Sequence, residues 1–123
     1  NRTVPILDVL QIPDEKDMVL LVMPKLRDFN SPHFHYHAEV VKVIYHILEG
    51  LDFMHKLKIF HNDACIFNFM MDATKVCPKG FHFAQKLSVN SVHYKLPNCY
   101  HCCVAPVQYY IINFESSKEM EEG

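Results

Sequence analysis

The stretch His61-Asn62-Asp63-Ala64-Cys65-Ile66-Phe67-Asn68 decides how this chain is read. It is a short polar break between apolar runs, with a carboxylate at Asp63 and an amide at Asn68, five residues on. One loop carrying those two groups can serve phosphoryl transfer. The carboxylate accepts the proton of an attacking hydroxyl, and the amide oxygen holds a metal ion at the nucleotide phosphates. On its own the spacing is a weak signal, so the residues on either side have to carry the argument.

Upstream, residues 38–58 repeat apolar side chains at three- and four-residue steps: Val40, Ile44, Ile47, Leu48, Leu51 and Met54. That period predicts an amphipathic helix with those residues on its buried face. Gly50 interrupts it at a cost of roughly 1 kcal/mol relative to Ala. Lys58-Ile59-Phe60 then reads as a short strand, and Phe69-Met70-Met71-Asp72 as another beyond the loop. Residues 107–112, rich in branched and aromatic side chains, predict a third strand that ends in Asn113-Phe114-Glu115. At the front, residues 4–11 and 17–23 are apolar runs separated by Pro13-Asp14-Glu15-Lys16-Asp17, which predicts a β-hairpin.

Taken together, these segments resemble a eukaryotic-type protein kinase domain, and more closely the divergent kinase-like domains of mushroom-forming fungi. The likeness is carried by Val4-Pro5-Ile6-Leu7-Asp8-Val9, Val19-Leu20-Leu21-Val22-Met23-Pro24, Gly50-Leu51-Asp52-Phe53-Met54-His55, Asn68-Phe69-Met70-Met71-Asp72 and Tyr109-Tyr110-Ile111-Ile112-Asn113-Phe114. The loop matches the catalytic pattern H-R-D-x-x-x-x-N, with Asn62 in place of its Arg. The resemblance implies an α+β, partial protein-kinase-like fold. Residues 1–26 would form a small-lobe hairpin and hinge, and residues 27–123 the start of a helical large lobe with an insertion at about 76–104.

The same resemblance assigns site residues. Asp63 would be the catalytic base. Met23 would guard the back of an adenine pocket, with the carbonyl of Pro24 and the N–H of Leu26 holding the adenine edge. Proline lacks only an N–H, so Pro24 is compatible with that role. Asn68 would touch the nucleotide and, with Asn113, hold magnesium. ATP and magnesium are therefore the cofactors to expect if a nucleotide site survives.

Several departures argue for degeneracy. The chain has three glycines, Gly50, Gly80 and Gly123, and none forms a G-x-G-x-x-G loop. No Val-Ala-Ile-Lys strand and no Ala-Pro-Glu are present, so the domain reads as cut at both ends. Asn113 stands where the motif has the Asp that grips magnesium, a hard cation favouring charged oxygens. Glu115 replaces the Gly that follows, and Cys65 replaces a Lys that touches the transferred phosphate. The expectation is ancestral phosphoryl transfer from ATP to protein Ser or Thr, with little or no activity left. The rival reading is a non-catalytic, pseudokinase-type interaction module whose exposed helix face binds a protein or the missing kinase segments.

Each residue also has a plainer reading. Asp63 and Asn68 can simply bond loop backbone, and Asn113 can be a strand-end residue. His61 is read as a brace for the loop backbone, and His55 as a cation at the helix C-terminus. Cys77, His82, Cys99 and Cys102 contain a zinc-like gap, but the default is a set of reduced thiols on an inserted loop. His33, His35 and His37 alternate along what reads as a solvated connector.

With 123 residues and 50% hydrophobic composition, the chain can build one small domain. A net charge of -2 without a basic tract gives no footprint for nucleic acid. No apolar run approaches the roughly 20 residues of a membrane span. An odd count of five cysteines suggests no disulfide framework, hence an intracellular, reducing location. The acidic tail, residues 115–123, is expected to fray.

Overall fold

The computed structural model describes residues 2–82, 99–100, 102 and 107–120. It is a mixed α+β structure: one long helix and three small antiparallel sheets. Strands β1 (Asp8–Ile12) and β2 (Glu15–Val22) form a hairpin. Asp14 turns it at φ 65°, a left-handed conformation that Asp tolerates because its short side chain can bond locally. The predicted hairpin is thus present with a shifted start. Residues 2–4 do not belong to it. Val4 N–H donates to Ile111 O at 3.1 Å and Ile111 N–H to Arg2 O at 2.8 Å, so this piece lies along the far sheet. The hairpin's side chains are almost all exposed, so its cohesion comes from the ladder and cross-strand pairs.

Helix α1 (His37–Lys56) follows a connector that runs from Met23 through β3 (Arg27–Asp28). Its start is fixed by Glu39, whose Oε2 accepts the N–H groups of His35 at 2.7 Å and Tyr36 at 3.1 Å. These bonds satisfy donors at the helix entry and let the carboxylate sit buried near the positive end of the helix dipole. The exposed His33, His35 and His37 flank this entry, as expected of a connector.

The inner face of α1 differs from the predicted one. Glu39, Val43, His46, Gly50 and Met54 are buried, with Ile47 and Leu51 packed at the margins. Val40, Ile44 and Leu48 face outward, continuous with Val41 and Tyr45. Sequence period alone placed the apolar arc but not its rotation. Gly50 marks a close approach of the helix to β6 and the N-terminal segment that this rotation requires. A Cβ there would lie 2.9 Å from both Arg2 Cβ and Ile111 Cδ1. The glycine read as a flaw in the helix is therefore the contact point.

The helix packs on a sheet of order β3–β5–β6, made by β5 (Phe69–Asp72) and β6 (Gln108–Ile111) with β3 on the outside. Alternation decides which residues enter the core. Phe69 pairs with Ile111 and Met71 with Tyr109, and all four are buried toward α1. Burying each such side chain stabilises by about 1.5–3 kcal/mol. Met70 and Tyr110 take the opposite face and are half-buried.

A further correction concerns the acidic tail, and the residues after β5 also pack inward. The tail is not wholly frayed: β7 (Lys118–Glu119) pairs with β4 (Ile59–Phe60), and Met120 N–H donates to Lys58 O at 2.7 Å. The start of the predicted insertion packs inward. Val76, Cys77 and Phe81 are buried in the same core as Val107 and Tyr109. Cys77 and Cys99 form a disulfide, so the expectation of free thiols fails for that pair, while Cys65 and Cys102 are in no disulfide. A chain with an odd cysteine count can still close one bridge, which the count alone did not anticipate. The rest of the insertion, residues 83–98, lies outside the described residues.

Candidate functional site

The site is built where the loop after β4 meets the chain leaving β6. His61 is buried and joins the two. Its Nδ1 accepts the N–H of Asp63 at 3.2 Å, which leaves Nε2 as the protonated nitrogen donating to Ile112 O at 2.9 Å. Its ring also lies 5.4 Å from that of Phe114. His61 is therefore the brace the sequence suggested, holding the loop against the segment after β6. Asn62 adds a second tie: it turns at φ 60° and donates Nδ2 to Ser116 O at 3.1 Å.

A 3₁₀ turn at Ile66–Asn68 then swings Asn68 back toward Asp63. Asn68 is buried, and its Nδ2 donates to both Asp63 O and Asp63 Oδ2 at 2.8 Å. Its Oδ1 accepts Nδ2 of Asn113 at 3.3 Å. Asn113 reaches it from just beyond β6 at φ 62°, a left-handed conformation asparagine adopts more readily than most residues. The three polar residues singled out from the sequence thus form one hydrogen-bonded chain, Asp63–Asn68–Asn113. Asn113 sits just beyond the end of β6, as its plainer reading has it, and also bonds Asn68. The backbone-bonding reading of Asn68 holds as part of the same network.

Asn113 also lines a cleft of about 590 Å³ together with Met23, Pro24, Leu26, Ile112, Phe114 and Glu115. Val4, Leu21 and Met70 complete its lining. Met23, Pro24 and Leu26, the residues expected at the adenine, all line this cleft, and Asn68, expected at the nucleotide and metal, reaches it through Asn113. Met70 was not foreseen as a site residue. The alternation of β5 could have found it, because Phe69 and Met71 point into the core and leave Met70 facing the cleft. Cys65 is half-buried on the loop and free.

The cleft is mainly apolar, with Asn113 and Glu115 as its polar lining residues. That arrangement suits a flat heteroaromatic ring inserted between Met23, Met70 and the connector, with polar groups outside. It does not suit magnesium. The donors on hand are one carboxylate at Asp63, already accepting from Asn68, and two neutral amides that bond each other. Magnesium binds through charged oxygens in a strict octahedron. Glu115 brings a carboxylate to the same cleft but is exposed at its rim. Among the described residues no group of three His, Cys, Asp or Glu side chains is placed to hold a metal. The zinc arrangement weighed from sequence loses two of its four ligands, Cys77 and Cys99, to the disulfide.

Compared with protein families, curated proteins and solved structures, the chain matches none. Fold and site together define a mixed α+β protein with a cleft lined by Met23, Pro24 and Leu26, and a hydrogen-bonded polar trio that reaches the cleft through Asn113. Among the described residues no helix is long and apolar enough to cross a membrane.

Proposed function

We propose that this chain is a degenerate protein-kinase-like domain whose cleft takes an adenine nucleotide but no longer transfers its phosphate. The single observation that supports this reading most is the hydrogen-bonded chain Asp63–Asn68–Asn113, whose last member lines the same cleft as Met23, Pro24 and Leu26. In this reading the purine lies between Met23 and Met70, and Asp63 faces the region where an acceptor hydroxyl would approach. Phosphoryl transfer depends on electrostatic stabilisation of charge on the moving group. Asn113 in place of a metal-binding carboxylate, Cys65 in place of a cation and Glu115 near the phosphates all weaken it. The protein is read as intracellular, where such nucleotides are found.

Two measurements test the proposal. Adenosine diphosphate should raise the melting temperature equally with and without magnesium, because no carboxylate pair couples the two. Labelled γ-phosphate transfer to a generic Ser/Thr substrate should stay at background. Magnesium-dependent transfer that disappears in Asp63→Ala would overturn the claim of inactivity.

A second reading has its own observation. Val41, Ile44, Tyr45 and Leu48 form a row on α1 with each side chain more than half exposed. Such a contiguous apolar row fits a non-catalytic interaction module that docks a protein on this helix. Absence of any nucleotide effect on melting would favour it over the cleft reading.

A further inference from the structure

We infer that the Cys77–Cys99 disulfide is a redox latch that sets the position of the connector over the cleft. The inference deepens the nucleotide-cleft reading by naming a regulator of that cleft. It starts from a mechanical chain of contacts. Cys77 is buried in the turn after β5, where its N–H donates to Ala73 O at 2.7 Å. Gly80 N–H donates to Cys77 O at 2.8 Å, which carries the turn on to Phe81. Phe81 is itself buried, and it grips the connector twice. Its carbonyl accepts Lys25 Nζ at 2.6 Å, and its ring lies under Lys25 Nζ at 4.6 Å and Arg27 Cζ at 5.2 Å. Lys25 sits between Pro24 and Leu26, the two connector residues that line the cleft.

The disulfide pins this clamp from behind. It joins Cys77 to a residue 22 positions away, and Tyr100 N–H donates to Val76 O at 2.7 Å beside it. A cavity of about 290 Å³ bounded by Pro24, Lys25, Cys77 and Phe81 lies between latch and connector, which leaves room for the turn to shift. The two sulfurs differ in access: Cys77 is 1% exposed, whereas Cys99 is half-buried. A small dithiol therefore attacks at Cys99 Sγ. The Cys77–Cys99 bond breaks, Cys77 leaves as a thiolate and takes up a proton, and a mixed disulfide forms at Cys99. The second thiol of the reductant closes on the first, releasing Cys99 as a thiol and the reductant as its cyclic disulfide. Two electrons and two protons pass to the protein. With the cross-link gone, the turn at residues 76–81 keeps its hydrogen bonds and its buried contacts with Val107 and Tyr109 but loses its covalent tie, and the grip on Lys25 loosens.

The test compares the whole chain oxidised and after complete reduction by dithiothreitol, with the thiol count fixed by alkylation and mass. Amide hydrogen exchange at Lys25, Leu26 and Phe81 should speed up by about tenfold on reduction, with α1 and β5 unchanged. Cys99→Ser should show the reduced pattern under oxidising conditions. Equal exchange at Lys25 and Leu26 in both states would overturn the latch. So would loss of the helix on reduction, since the bond would then be a staple for the whole fold, or five free thiols in the oxidised protein. Adenosine diphosphate binding is measured in parallel and decides only the cleft reading. A chain that binds no nucleotide in either state, yet shows the exchange difference, keeps the latch and loses the cleft.

Discussion

His46 shows how one buried side chain ties this fold to pH. It is 7% exposed on the inner face of α1, its ring 5.6 Å from that of Tyr109. Burial lowers its pKa from the ordinary 6.5, and the cations Arg2 and Lys42 lower it further, with Glu49 opposing them. The folded state therefore holds a neutral imidazole where the unfolded chain would be protonated. A group depressed in this way contributes stability above its unfolded pKa, and that contribution is lost as pH falls through the folded value. Denaturant midpoints should thus decline from about pH 6.5 downward, by at most about 1.4 kcal/mol per pH unit from this one proton. His46→Phe, which keeps the ring against Tyr109, should flatten that part of the profile. An unchanged slope in the variant would assign the decline to other groups. His61, equally buried, plays a different part, since both its nitrogens are bonded to backbone at the site.

At the scale of elements, Gly50 is the informative position. Replacing it by alanine should gain roughly 1 kcal/mol of helix propensity. The new Cβ would meet Arg2 Cβ and Ile111 Cδ1 at 2.9 Å, and overpacking of a fixed contact costs about 1–3 kcal/mol. Gly50→Ala is therefore expected to destabilise the protein in equilibrium denaturation, and a stabilised variant would contradict this placement of helix on sheet. The elements themselves were largely legible. Turn residues marked the hairpin, the three- and four-residue period marked α1, and branched and aromatic runs marked β4, β5 and β6. What escaped were pieces too short to have a period: β3 and β7, two residues each, and residues 2–4 beside β6. The rotation of α1 escaped as well, because the apolar residues of residues 38–58 span more than one face and only tertiary contact chooses among them. The disulfide could not be read from cysteine spacing, since pairing depends on where the chain returns.

At the scale of the whole molecule, the three polar residues chosen from the sequence come from two distant segments and meet in one hydrogen-bonded chain. Residue types and spacing pointed to Asp63 and Asn68. Asn113 was reachable only through the resemblance, and its meeting with Asn68 is a property of the fold. The polarity of the site reads consistently. Its apolar wall can hold a ring, while its neutral amides do not offer the charge a magnesium ion needs. The row of exposed apolar residues on α1 is the other large-scale feature, and the connector clamped by Phe81 links the cleft to the disulfide.

The most direct measurement is an amide chemical-shift titration of the labelled protein with adenosine diphosphate in the absence of magnesium. Met23, Leu26, Met70, Asn113 and Phe114 should shift together along one saturable curve, and Met70→Trp, which fills the cleft, should abolish it. Shifts confined to another surface, or none at millimolar nucleotide, would contradict the claim that Asp63, Asn68 and Asn113 guard a nucleotide cleft.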